Sequence, residues 1–179
     1  MYNPFERGYF HIVTVGRMTV EKGAMMAVAA CEQICSRGYK IRWHWVGDGN
    51  QMDIIKEKIR ECGVDNAFIL EGNKENPYPY IKNADFFVLS SYMEGYGIVI
   101  KEALLLKTKV LTTDITGPKE ILEDGKFGII VPNDDESIKY KMKDILDNKE
   151  KYKKYDKILS EYKGDNEVIK KQTLNLLDI

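Results

Sequence analysis

The chain has 179 residues, 44% hydrophobic and 31% charged, which is enough for one α/β domain with a sizeable core. Its 27 Lys and Arg stand against 28 Asp and Glu, and the resulting net charge of -1 leaves no electrostatic case for nucleic acid. No apolar run approaches the length of a membrane span and no basic-then-apolar leader opens the chain, so a cytoplasmic location is the expectation.

Residues 1–8 read as a lead-in, frayed or truncated. Residues 10–15 are β-branched and aromatic and predict a strand. A loop over 16–23 follows, then an Ala- and Met-rich helix over 24–37 closed by Gly38. A second strand spans 41–46 and runs into Gly47-Asp48-Gly49; a second helix spans 52–62 and stops at Gly63. A short third strand, 68–70, ends near Gly72, and a proline-containing loop over 73–79 leads to a short helix at 80–83. The fourth strand is placed at 85–89, and a glycine turn carries the chain into a mostly apolar helix over 98–106. A fifth strand is placed at 109–112, a helical turn at 116–122 and a sixth strand at 127–131, stopped at Pro132.

From Asp134 the chain reads as helical, with breaks near Asp147-Asn148 and near Gly164. From Asn133 onward 11 lysines meet 11 acids, the mark of a solvated helical surface. The three cysteines, Cys31, Cys35 and Cys62, form no Cys-x-x-Cys pair and are expected to be buried thiols, neither metal ligands nor a disulfide frame.

Strands separated by helices call for a parallel sheet covered on both faces. Ligands in such sheets collect at the carboxyl ends of the strands. The loops at 16–22, 47–49, 72–74, 90–97 and 113–119 all follow strands, so they are expected to share one rim.

The stretch from Ser90 to Glu102 carries most of the chemistry. Strand, glycine turn, helix is an arrangement that offers bare backbone N–H groups to an anion. Glu94 precedes the turn and Glu102 lies eight positions later, about one helical turn in from the helix mouth. Two carboxylates flanking an anion site suggest a sugar, a phosphate and a ribose. Gly95 and Gly97 remove side chains where donors are needed, or serve only the turn. Glu102 in an apolar helix needs a partner: a ribose diol, or a structural lysine. Arg17 and Lys22 offer a planar fork and a mobile point charge in one loop. They are placed to neutralise a diphosphate leaving group, the alternative being two solvated surface cations.

Val15-Gly16-Arg17, Glu21-Lys22-Gly23, Gly47-Asp48-Gly49, Ala84-Asp85, Ser90-Ser91, Glu94-Gly95-Tyr96-Gly97 and Glu102-Ala103 together resemble the C-terminal, donor-binding half of family 4 retaining glycosyltransferases. The resemblance runs roughly over 12–131 and includes that family's two glutamates with seven residues between them, Glu94 and Glu102. It implies one Rossmann-like half of a GT-B fold: a parallel β-sheet sandwiched by helices over 9–132, with extra C-terminal helices over 133–179. By resemblance, Glu94, Arg17 and Lys22 act at the reacting centre, the cations on the diphosphate and Glu94 on the sugar hydroxyls. The backbone of Gly95, Tyr96, Gly97, Ile98 and Val99 would bind sugar and distal phosphate. Glu102 would take the ribose, Gly16 would line the phosphates, and Asn73 and Lys74 would lie near the base.

The resemblance further implies a UDP- or GDP-linked sugar as substrate, no cofactor and no metal. It implies an acceptor-binding N-terminal domain that 179 residues cannot also contain, so this chain alone would lack turnover. Peripheral contact with the inner face of a membrane would come through that absent half. Lys107 and Lys109 depart from the pattern, standing near a usual glycine and proline, which bears on how the helix after Glu102 ends. Tyr96 replaces a commoner Phe, and Gly117-Pro118 a Gly-Gly pair. The other readings are a GT-B nucleotide-sugar epimerase half and a non-catalytic α/β interaction module.

Overall fold

The computed structural model of the chain describes residues 3–164 and Lys171. Six strands, β1 (Phe10–Val15), β2 (Ile41–Val46), β3 (Phe68–Gly72), β4 (Phe86–Leu89), β5 (Val110–Thr113) and β6 (Ile129–Val131), form one sheet in the order β3-β2-β1-β4-β5-β6. Every neighbouring pair is parallel, with β1 in unbroken register on β2 from Phe10↔Ile41 to Val15↔Val46. Both faces of a parallel sheet are covered, so its strands are near-continuous apolar runs. β4, Phe-Phe-Val-Leu, is buried at every position.

The helices are α1 (Ala24–Ser36), α2 (Met52–Glu61), α3 (Tyr78–Asn83), α4 (Ile98–Leu105), α5 (Thr116–Ile121), α6 (Asp135–Asp147), α7 (Lys149–Tyr152) and α8 (Lys154–Glu161). The chain steps outward from β1 to β3, then returns across β1 to place β4. Right-handed crossovers therefore put α1 and α2 on one face and α3 to α5 on the other. The packing agrees: α1 touches α2 and α6, while α4 touches α3 and α5. The direction reverses between β1 and β4, and their carboxyl ends border the crevice where such sheets take ligands.

Trp43, Trp45, Phe68 and Phe87 are fully buried in the core, each burial worth roughly 2–3 kcal/mol. Polar atoms inside the sheet are paired: Trp43 Nε1 donates to Thr14 Oγ1 at 3.1 Å, and that hydroxyl donates to the Val88 carbonyl at 2.7 Å.

The fold class is the one expected, and the differences are local. α3 begins at Tyr78, two residues early, because Pro79 sits in its first turn, where a missing N–H costs nothing. β6 begins at Ile129 because the Phe127 N–H is drawn to the Leu122 carbonyl, 3.1 Å away. The loop after β1 contains a 3-10 turn, Val20–Lys22, with no apolar periodicity to announce it. Of the three thiols only Cys31 is fully buried; Cys35 and Cys62 are half-buried, packed against the core near their helix ends. The expected break at Asn148 is present, capping α6. The helical stretch expected after Gly164 lies outside the described residues.

α4 ends in a way that answers the question raised by Lys107. The Thr108 N–H bonds to the Ala103 carbonyl at 2.9 Å and the Lys107 N–H to the Leu104 carbonyl at 3.0 Å. That is a Schellman motif, whose C′ position is left-handed and favours glycine. Lys107 takes it with φ +63.

Candidate functional site

Four loops are locked together by approaches of backbone to backbone. The loop after β1 lies on the loop after β2: a Cβ on Gly47 would stand 2.1 Å from the Gly16 carbonyl oxygen, and one on Gly49 would stand 2.4 Å from that of Met18. On its other side the loop after β1 meets the end of β4. Gly23 has φ +66, and a Cβ there would stand 1.9 Å from the Ser90 carbonyl oxygen. Ser90 Oγ donates to the Gly23 carbonyl at 3.1 Å, and the Tyr92 N–H to that of Glu21 at 2.8 Å. The loop after β5 in turn lies on the glycine turn, since a Cβ on Gly117 would stand 2.4 Å from the Gly95 carbonyl oxygen.

This clamp sets Lys22 against Glu94, with Nζ 2.5 Å from Oε2 and both side chains mostly shielded from water. Reading the sequence separately assigned one to phosphate and the other to sugar; the structure joins them directly. Gly16 lies under the pair, its absent Cβ 3.9 Å from Lys22 Cδ. Arg17 is exposed at the rim and has no carboxylate within ion-pair distance among the described residues. A cavity of about 580 Å³ opens beside Glu94, lined also by Tyr92, Met93, Asp114, Thr116 and Lys119.

Gly97, with φ +68, is the N-cap of α4, and no side chain caps the helix. The helix therefore presents backbone N–H groups and the positive end of its dipole at the turn. Gly95 differs from Gly97. Its φ is not in the left-handed region and nothing lies within 4 Å of where its Cβ would be. Neither turn strain nor crowding requires glycine there; its absence of a side chain leaves space over the turn. Ile98 is exposed at the helix mouth and Val99 half-buried. The Tyr96 side chain meets α4, with Lys101 Nζ 3.4 Å from its hydroxyl and 5.1 Å above its ring.

Glu102 is half-buried on α4, where the Tyr78 hydroxyl donates to its Oε1 at 3.0 Å. Burial pushes the Glu102 carboxyl above its ordinary range, with the Tyr78 hydrogen bond pulling the other way. No spacing rule could have found Tyr78, which reaches α4 only because α3 packs beside it.

Asn73 and Lys74 lie exposed beyond β3, and no contact joins them to the Lys22–Glu94 pair. Lys74 instead approaches Glu71, Nζ to Oε2 3.5 Å. Glu71 also receives the Tyr80 hydroxyl at 2.9 Å and faces His44 Nδ1 at 2.9 Å. Burial pushes the Glu71 carboxyl up, but the hydrogen bonds from His44 and Tyr80 outweigh it and hold it below the ordinary range. Glu71, His44 and Tyr80 gave no motif in the sequence. No cluster of three His, Cys, Asp or Glu side chains able to hold a metal is found among the described residues.

The sheet order, the glycine-clamped loops and the open helix mouth define a Rossmann-like half of the GT-B type. Two solved structures share this fold. HepE of Anabaena, in complex with UDP, superposes with a TM-score of 0.77 at 20% identity, covering 95% of this chain and 49% of that one. WaaG, a glycosyltransferase involved in lipopolysaccharide biosynthesis, gives 0.80 at 17% identity, covering 96% and 48%.

Among relatives in sequence, an uncharacterized glycosyltransferase of Methanocaldococcus jannaschii is 31% identical over 127 residues, which is 66% of this chain and 31% of that protein. The N-acetylgalactosamine-N,N'-diacetylbacillosaminyl-diphospho-undecaprenol 4-alpha-N-acetylgalactosaminyltransferase of Campylobacter jejuni is 27% identical over 146 residues, 80% of this chain and 39% of that one. Residues 3–161 match the family model of the glycosyl transferases group 1. The chain belongs to that family, and it spans less than half the length of these relatives and structures.

Proposed function

We propose that this chain is the donor-binding part of a retaining glycosyltransferase that moves a hexosyl group from a nucleotide diphosphate sugar to a saccharide or lipid-linked acceptor. The observation that carries the reading is the uncapped mouth of α4 behind Gly95 and Gly97, flanked by Lys22 and Glu94. Backbone donors and a helix dipole suit a diphosphate, and the space over Gly95 suits a close approach of ligand to backbone.

In this reading Lys22 and Arg17 take the diphosphate and stabilise it as it leaves, with no metal. Glu94 accepts from sugar hydroxyls in the adjoining cavity, and Glu102 accepts from the ribose. The backbone from Gly95 to Val99 holds sugar and distal phosphate, and Asn73 and Lys74 border the base. Residues 9–132 are the nucleotide-sugar domain, 1–8 lead into it, and 133–179 pack on it and toward an acceptor-binding N-terminal domain, without which there is no turnover. UDP is the favoured carrier, since UDP occupies the HepE complex that shares this fold. A lipid-linked or polysaccharide acceptor is supported by the Campylobacter relative, whose name specifies an undecaprenol-linked acceptor. The work would be done in the cytoplasm, with peripheral membrane contact made by the other domain.

The test is a calorimetric titration with UDP, GDP and ADP in the presence of EDTA. One nucleotide binding, and losing affinity in Arg17→Ala and Lys22→Ala, is the expected result. No binding by any of them, in this chain and in a two-domain version, overturns the reading.

A further inference from the structure

We propose that Glu71 positions the loop bearing Asn73 and Lys74, and that it is held there by one proton shared between His11 and His44. The functional meaning of that loop rests on the donor reading above; the proton count does not.

His11 and His44 are the two histidines of the chain, and both are buried, 5% and 6% exposed. They form a linear relay. His11 Nε2 meets the Glu6 carbonyl at 2.7 Å, His11 Nδ1 meets His44 Nε2 at 3.1 Å, and His44 Nδ1 meets Glu71 Oε1 at 2.9 Å. Each ring nitrogen thus has one partner, and the hydrogens can be assigned from the network.

A carbonyl only accepts, so His11 Nε2 carries a hydrogen. A neutral His11 then offers Nδ1 as an acceptor, and His44 Nε2 donates to it. A neutral His44 is left with a lone pair on Nδ1 facing a carboxylate, which also only accepts. Two neutral imidazoles therefore oppose two acceptors at 2.9 Å. One added proton, held by either ring, turns that opposition into a charge-assisted hydrogen bond.

The proton does not belong to Glu71. Its other oxygen receives the Tyr80 hydroxyl and lies near Lys74 Nζ, surroundings that suit the ionised form. Phe5 roofs both rings, its centroid 4.3 Å from that of His11 with planes 2° apart and 4.4 Å from that of His44. The other charged and titratable groups around the pair are few. Arg42 is balanced by Glu6 at 3.7 Å and lies 3.8 Å over the Tyr9 ring. Asp85 accepts the His11 backbone N–H at 2.7 Å.

Burial pushes His44 below its ordinary range while Glu71 pulls it up. The relay therefore gains its proton as pH falls and gives it up as pH rises. As pH rises the proton leaves, Glu71 loses His44 as a donor, and the loop beyond β3 is held through the Tyr80 and Lys74 contacts of Glu71 alone.

Long-range proton–nitrogen spectra of the 179-residue chain read the four ring nitrogens directly. Three are expected to carry hydrogen at the acidic end and two at the alkaline end, with the backbone amides of Asn73 and Lys74 shifting at the same midpoint. UDP affinity is expected to fall about three- to tenfold across that midpoint, the worth of one hydrogen bond. Glu71→Gln supplies an amide N–H that satisfies a neutral His44; its ring nitrogens should carry two hydrogens throughout, and its loop amides and UDP affinity should stay flat over that range. Two ring hydrogens at every pH in the wild-type chain, or loop amides that ignore the histidines, would overturn the assignment. Failure of UDP, GDP and ADP to bind at any pH, in this chain and in a two-domain version, would instead overturn the donor reading, while the ring and loop resonances still decide the role of Glu71.

Discussion

Lys22 and Glu94, 72 residues apart in the chain, meet at 2.5 Å across the crevice between the ends of β1 and β4. A cation proposed for phosphate and a carboxylate proposed for sugar hydroxyls are thus each other's partners. A diphosphate drawing on Lys22 has to share it with Glu94.

Breaking that pair from either side has opposite consequences. Lys22→Ala should weaken UDP and UDP-sugar alike, by about tenfold, the loss of a charged hydrogen bond. Glu94→Gln frees Lys22, so UDP alone should bind as well or a few-fold more tightly, while the UDP-sugar should lose about tenfold as the charged acceptor of its hydroxyls becomes a neutral amide. Titrating both ligands into both variants checks this. Equal losses for the two ligands in Glu94→Gln would refute the division of labour.

Two glycines in neighbouring loops should separate stability from binding. Gly23→Ala places a Cβ against the Ser90 carbonyl at 1.9 Å in a left-handed conformation and should cost about 2 kcal/mol or more of unfolding free energy. Gly95→Ala meets open space with an ordinary φ, so stability should stay within about 0.5 kcal/mol. Its UDP-sugar affinity should nonetheless fall. Denaturant unfolding and titration on the same two samples decide the matter.

The Glu102 carboxyl, raised by burial, gives a pH dependence with a definite sign. A folded-state value above the unfolded one means that the native protein binds the proton more readily. Stability is therefore lost as pH rises through the window between those two values, and regained as pH falls. Glu102→Gln removes the buried charge and keeps an acceptor for Tyr78, so its thermal midpoint at neutral pH should rise by about 2 °C. The same variant should weaken any ribose-bearing nucleotide by about 1–3 kcal/mol. A midpoint that falls, with nucleotide affinity unchanged, would make Glu102 a structural residue only.

Lys107 occupies a left-handed position with φ +63, and its side chain reaches the Tyr162 carbonyl. Left-handed backbone costs a residue with a Cβ about 1 kcal/mol, and an exposed hydrogen bond returns less. Lys107→Gly should therefore stabilise the chain by about 0.5 kcal/mol. A loss of stability in urea unfolding would show that the Tyr162 contact outweighs the backbone term.

Much of this architecture could be read locally. β1, β2 and β4 are rich in β-branched and aromatic residues because both faces of a parallel sheet are covered, and glycines after β1 and β2 mark where the chain leaves the sheet. The helix after Gly97 and the carboxylates on either side of its mouth follow from spacing along one short stretch. The boundaries that slipped, at Tyr78 and Ile129, are places where one proline or one stray hydrogen bond decides the end of an element.

What the residues could not announce is which loops face one another. Gly23, Gly47 and Gly117 look like turn residues, yet each is glycine because another backbone passes within about two and a half ångströms of its missing Cβ. Lys22 finds Glu94, Glu102 finds Tyr78, and His11, His44 and Glu71 form a relay from three separate strands. Local sequence sets periodicity, turns and helix ends because those depend on neighbours within a few positions. Partners 24 to 72 residues apart are chosen by strand order and helix packing, and only the folded chain brings them within reach.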